Sequence, residues 1–261
     1  MNIKRREFIY VRREHQMINI AYTPEYQAYR KEWETVFAPK NFVSSELMLP
    51  NATDLEFRKL QLKRWANSMG KYRIERSYYK AENDGNKLWG AETKIFDDTG
   101  ATIYQYRIDD DDGDFISLIR HSNQHEYFLF RTGLYGYGLY DLTSKQEFFY
   151  IPDEPETFIW TDAHYNPITN MLAVGGCFWA CPNGVTLLDF SDPMKETEWV
   201  DVISSLDGGY DKYDGLDFIR WHNNNLILKA DELVEENDKI STKPVELEIT
   251  EMQYREWFEN V

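Results

Sequence analysis

Residues Phe115–Asp141 read FISLIRHSNQHEYFLFRTGLYGYGLYD, and Phe158–Asp189 read FIWTDAHYNPITNMLAVGGCFWACPNGVTLLD. Both spell one local programme. An apolar strand opens on Phe-Ile and closes near a His, at His121 and His164. An Asn-bearing turn follows, then a second apolar strand, a glycine-rich link and a third strand ending in Asp. A further copy opens at Phe218-Ile219, closes on His222, turns at Asn223-Asn224-Asn225 and resumes with Leu226-Ile227-Leu228. Phe8-Ile9 is a fourth candidate opening. Closing acids stand at Asp97, Asp141 and Asp189, with Glu248 a weaker fourth.

The opening Phe recurs at intervals of 43 and 60 residues, and the closing acid at 44, 48 and 59. Two landmarks that drift together mark one repeat. A period of about 40–50 residues with four strands is the period of a β-propeller blade. These segments alternate or run continuously apolar, whereas helical repeats need a 3.6-residue period. The expected fold class is therefore mainly β, a propeller-like array of antiparallel blades with a helical N-terminal segment.

The hairpin Phe218–Leu228 resembles the first hairpin of a WD40-type or TolB-type propeller blade. Leu139-Tyr140-Asp141-Leu142-Thr143-Ser144-Lys145 resembles the third-to-fourth strand corner of the same blades. The resemblance covers roughly residues 85–261 and lies in pattern. Tyr-Asp and Leu-Asp stand where Trp-Asp would stand, and no Gly-His pair opens a blade. Gly176-Cys177-Phe178-Trp179-Ala180-Cys181-Pro182 also resembles a segment of small bacterial proteins, with no function attached.

Working outward, Lys87–Asp97 and Ala101–Ile108 read as strands joined by the tight turn Asp97-Asp98-Thr99-Gly100. Towards the N-terminus, Phe8–Val11 and Met17–Tyr22 predict a hairpin. Thr23-Pro24-Glu25 predicts a helix start, with Thr as N-cap and Pro at the first helical position, and the helix should stop before Pro39. A second helix starts at the capping box Thr53/Glu56 and stops at Gly70, with Leu55, Leu62, Trp65 and Met69 at helical spacing.

Charge divides the chain into two expected units. Residues 1–80 hold 16 Lys/Arg against 9 Asp/Glu, and residues 81–261 hold 13 against 36, for a total of −16. The expectation is a basic hairpin-plus-helices unit over 1–80, packed on an acidic propeller-like body over 81–261. The net charge argues against a nucleic-acid partner, whose phosphates need clustered Lys and Arg. No apolar run approaches the roughly 20 residues of a membrane span, so no membrane partner is expected. Met1–Arg13 carries no apolar leader core, and the chain has two cysteines; together these predict a cytoplasmic protein.

Chemistry-bearing patterns are sparse. Asp109–Asp114 suggests calcium, but Ile108 and Ile119 stand where an EF-hand needs its first and twelfth ligands. Asp207–Gly215 is a second acid-and-glycine loop. Cys177 and Cys181, four apart, lack two further soft ligands for zinc and read as buried free thiols. His121, His164 and His222 could hold a metal only where three corners converge; otherwise each caps a turn or packs on a neighbouring blade. Gly133–Gly138 lies between strands and cannot cradle a phosphate as a helix N-terminus does. No cofactor, metal or catalytic residue is assigned. The leading function is a non-enzymatic protein that binds a protein or peptide partner, a basic one by charge, through its blade loops. The competing reading is a small-molecule or carbohydrate binder or hydrolase, with Trp160, Asp162, His164, Trp179 and Cys181 as the ligand-binding set.

Overall fold

The computed structural model describes residues 18–36, 71–83, 86–108, 115–153, 157–236 and 239–259. The chain is mainly β, and its described residues build four antiparallel meanders. Helix α1 (Pro24–Val36) precedes the first sheet, β1 (Arg73–Asn83), β2 (Asn86–Phe96) and β3 (Thr102–Ile108). The second sheet is β4 (Ile116–Arg120), β5 (Glu126–Thr132), β6 (Gly136–Asp141) and β7 (Glu147–Tyr150). The third is β8 (Phe158–Asn166), β9 (Met171–Phe178), β10 (Asn183–Asp189) and β11 (Trp199–Asp201). Helical turns α2 (Val202–Ser205) and α3 (Gly209–Lys212) lead to the fourth sheet, β12 (Tyr213–His222), β13 (Asn225–Glu236) and β14 (Lys239–Ile249), and α4 (Glu251–Phe258) follows. β1 runs through residue 80, near which the charge balance changes sign.

The sheets stack in chain order, and each gap holds one apolar cluster. Ile95, Tyr104, Tyr106, Phe128 and Phe130 fill the first gap. Leu129, Leu139, Trp160, Leu172 and Val174 fill the second. Ala173, Leu187, Leu216, Leu228 and Tyr254 fill the third. A strand buried on both faces reads as continuously apolar, and one buried on a single face alternates. Tyr127–Phe130 and Gly184–Leu188 are accordingly buried at every position. In β3, Tyr104, Tyr106 and Ile108 point inward, while Gln105 and Arg107 face away. The outward face of the first sheet carries Glu92, bonded to Arg107 at 2.8 Å and to Lys94 at 3.1 Å. That of the fourth carries Asp217–Lys229 at 3.7 Å and Arg220–Glu246 at 3.8 Å. Among the described residues no apolar cluster joins the fourth sheet to the first.

The recurring acid is a turn-maker. Asp97 accepts from the Thr99 amide (2.9 Å) and hydroxyl (2.6 Å), and Asp189 from the Ser191 amide (3.0 Å) and hydroxyl (2.5 Å). Asp141 accepts from the Thr143 amide and the Ser144 hydroxyl, both at 2.8 Å. Each folds the chain from one strand into the next, as Asx-turn side chains do. In the first sheet Asp97 follows the second strand, so that sheet corresponds to the last three strands of the others. Asn223 and Asn224 both have positive φ, +49° and +68°, the requirement of a two-residue hairpin turn.

The N-terminal segment covers edges. Asn19 Nδ2 donates to the Phe149 carbonyl at 3.0 Å, and its Oδ1 accepts from the Ile151 amide at 3.1 Å. The Ile20 amide donates to the Ile151 carbonyl at 2.8 Å, so residues 18–20 lie along the free edge beyond β7. α1 starts where the Thr-Pro-Glu signal puts it, with the Tyr26 amide donating to Thr23 Oγ1 at 3.3 Å. Its Arg30 reaches the Arg107 carbonyl of β3 at 3.1 Å.

Several expectations change. Met17–Tyr22 was expected as a strand, yet its described part holds only the single bridge Asn19–Pro152 and then turns, because the Asn19 side chain takes bonds a strand would make through its backbone. Phe8–Val11, the Thr53 helix and Asp109–Asp114 lie outside the described residues. The β13–β14 hairpin extends well past the core, with pairing running from Glu232–Lys243 to Glu236–Lys239. Asp207–Gly215, read as a loop, contains α3 and enters β12. α4 was not anticipated, although its capping box is in the sequence: Thr250 Oγ1 accepts from the Gln253 amide, and the Thr250 amide donates to Gln253 Oε1.

Candidate functional site

Three of the five expected site residues lie on β8, and a bulge decides where they point. Trp160 pairs with Gly176 and Asp162 with Gly175, leaving Thr161 as the extra residue. A bulge breaks the two-residue alternation, so Trp160 and Asp162 do not share a face. Trp160 is 6% exposed in the cluster against the second sheet, its ring stacked on Tyr137 at 4.5 Å. Asp162 points the other way and accepts from the Gly175 amide at 3.0 Å. His164 Nε2 lies 3.3 Å from Asp162 Oδ1, and its ring stacks on Phe218 of the fourth sheet at 3.9 Å. The structure therefore brings Asp162 and His164 together and separates both from Trp160.

Trp179 and Cys181 belong to the β9–β10 corner. The turn carries Ala180 with φ +58° and closes with the Cys181 amide on the Phe178 carbonyl at 2.9 Å. Trp179 is 57% exposed. Neither cysteine forms a disulfide, and both are half-buried rather than fully buried; burial pushes the Cys177 thiol up.

The fourth sheet closes against this corner. Asn183 Nδ2 donates to Asp217 Oδ1 at 3.1 Å, and Gly215 lies under Pro182 and Asn183. Exposed Asp207, Asp211, Asp214 and Asp217 come from α3 and its flanks. Beneath them Asp201 caps α2 and accepts from the Ser204 hydroxyl (2.5 Å), the Tyr210 hydroxyl (2.8 Å) and the Ile203 amide (3.2 Å). Burial raises the Asp201 carboxyl despite those bonds, and burial and Asp201 together raise the Tyr210 phenol. The nearby Cys181 adds to the shift on Tyr210.

Sequence reading missed a second aromatic feature. A cleft of about 30 Å³ opens between the second and third sheets, lined by Tyr135, Tyr137, Tyr150, Phe158, Trp160 and Trp199. Thr157, Thr186 and Thr197 supply its hydroxyls. That volume holds on the order of one or two water molecules. The only signal was the aromatic content, which strand packing accounts for equally well.

The three recurring histidines bind sheets to one another or to turns. His121 Nε2 pairs with the carbonyl of Phe190, just past β10, at 2.8 Å, and its ring stacks on Tyr165 of β8 at 5.1 Å. His164 packs on the fourth, and His222 contacts Asn223 at the final turn. Among the described residues no three His, Cys, Asp or Glu side chains group as metal ligands, and no helix is long and apolar enough to cross a membrane. No protein-family model matches the chain, and no curated protein is significantly similar to it.

Proposed function

We propose that this chain is a non-enzymatic binding protein whose loops engage a basic protein or peptide. One observation carries the reading: exposed Trp179 stands at the β9–β10 corner, which Asn183 ties to exposed Asp217 at 3.1 Å and which packs on Gly215, next in chain to exposed Asp214. A Trp is the residue type that most often anchors an interface. Clustered carboxylates attract a cationic partner and raise its association rate, and the net charge of −16 extends that field. Nucleic acid and lipid surfaces, both anionic, are disfavoured partners on the same ground.

The architecture that presents the corner is, in this proposal, an open propeller-like array of the WD40 or TolB type, each meander acting as a blade. Face-to-face stacking and the shared acid turns support it. Two cysteines that do not pair in a disulfide support a cytoplasmic site. The hydrolase or carbohydrate alternative needs Trp160, His164 and Trp179 around one cavity. The opposed faces of Trp160 and His164 favour the partner reading over it.

Retention of a lysine-rich peptide on immobilised protein tests the proposal. Binding is expected at low salt, with release at high salt and weakening by about tenfold or more in Trp179→Ala. Salt-independent retention, or an unchanged Trp179→Ala, would sink it.

A further inference from the structure

We propose that the far end of the β13–β14 hairpin is a second wall beside the Trp179 corner, and that the two grip one extended, lysine- or arginine-rich segment of a partner protein. The inference rests on the corner reading above and deepens it. Relative height comes first. The β9–β10 corner lies level with Gly215, which packs under Pro182 and Asn183 and pairs with Asp231 across the strands. β12 makes its last pair at Tyr213–Glu232. β13 and β14 run on without it for four further pairs, Leu233–Thr242 to Glu236–Lys239, which is roughly 13 Å of ribbon at the rise of a strand. Register there is unbroken, so alternation carries the inward side of Leu228 and Ala230 on to Val234 and its partner Ser241. Lower down, that side packs on the third sheet. Beyond the corner the third sheet has turned back, and the inward side of the ribbon faces the space over Trp179.

The ribbon itself supplies the second observation. Two strands alone are marginally stable in water. Among the described residues no third strand joins these pairs, and Leu233, Val234 and Ile240 belong to none of the apolar clusters. Ile240 is 63% exposed, with Ser241 and Thr242 exposed beside it. An extended chain laid over the corner covers that open side.

Charge selects the chain. Asp207 to Lys243 holds nine Asp/Glu against five Lys/Arg. Three of those cations already meet acids: Lys212 with Glu232 and Lys229 with Asp217 at 3.7 Å, and Arg220 with Glu246 at 3.8 Å. The Lys212–Glu232 pair stands at the foot of the ribbon, so exposed Asp211 and Asp214, on either side of Lys212-Tyr213, stand there too. A second copy of this chain carries the same charge of −16 and is repelled. A lysine or arginine stem can lie on Trp179 and Val234 while its cationic head reaches the carboxylates.

Fluorescein-labelled octalysine, titrated into the whole protein at low salt and read by anisotropy, tests the inference. Replacing Val234–Ser241 with Asn-Gly, a hairpin turn that closes on the Leu233–Thr242 pair, removes the ribbon and leaves the apolar clusters intact. Binding should weaken by about tenfold with the thermal midpoint unchanged. Ser241→Lys keeps the ribbon and should also weaken binding at low salt, with the difference shrinking at high salt. Saturating octalysine should slow hydrogen exchange at the Ile240–Thr242 amides. If Trp179→Ala weakens binding while both ribbon variants and the ribbon amides are unaffected, the corner reading stands and this inference falls. If octalysine does not bind, both fall. If sedimentation shows a dimer that the Asn-Gly variant alone fails to form, the occupant is a second copy and the inference is overturned.

Discussion

Asp141 shows how much one residue of the repeat does. Its side chain is 3% exposed and accepts four hydrogen bonds, including one from the His125 ring at 2.7 Å and one from the Ser144 amide at 3.2 Å. Burial alone would raise its pKa, but the His125 and Ser144 bonds and the two amides outweigh burial and hold it below the usual carboxylate range. A depressed folded pKa means stability that is present above the unfolded value, near pH 4, and lost as pH falls through the folded one. Asp141→Asn keeps the turn's acceptor oxygen and removes the charge. It should cost about 1–3 kcal/mol at neutral pH, and the gap from the unsubstituted protein should narrow below about pH 4. Urea unfolding at several pH values measures both. A gap that stays constant down to pH 2 would contradict this assignment.

The β8–β9 pair joins sequence signal to element geometry. Gly175-Gly176 faces the Thr161 bulge, and a Cβ on Gly176 would overlap the Ile159 carbonyl and meet the Phe158 ring at 2.7 Å. The obstacle is backbone, so a side chain there must displace a strand. Gly176→Ala should destabilise by about 2–4 kcal/mol, measured as a lower urea midpoint, and should shift the fluorescence of Trp160. Gly138 plays a milder version of this part, because the Phe130 ring, 2.6 Å from its virtual Cβ, is a side chain and can yield. Strands and turns were legible because their signals are local: Asp before a Ser or Thr, Asn pairs at hairpins, continuous apolar runs in β5 and β9. The site was less legible. A single bulge residue reverses the side to which Asp162 and His164 point, and no pattern in Thr161 announces it. Nor does the sequence show that Tyr150 and Trp199, 49 positions apart, border one cleft. That pairing depends on how two sheets pack.

Among the described residues, four sheets share three apolar gaps, so the two inner sheets are clamped on both faces and the outer two on one. Among the described residues β14 is an edge of the fourth sheet, mostly exposed, with Pro244 and Lys243 set into it, features that deter edge pairing. Native-state hydrogen exchange should therefore rank the strands. Amides of β5, β9 and β10 should exchange last and those of β14 first, since local opening follows burial. Uniform protection across all four sheets would show that the stack opens only as one unit. The polar outward faces of the first and fourth sheets have a consequence for ancestry. An inner meander is compatible with a like neighbour on either side, whereas an end meander is compatible on one side only. Descendants with an added repeat should carry it as an internal duplication, with the two terminal units inherited unchanged.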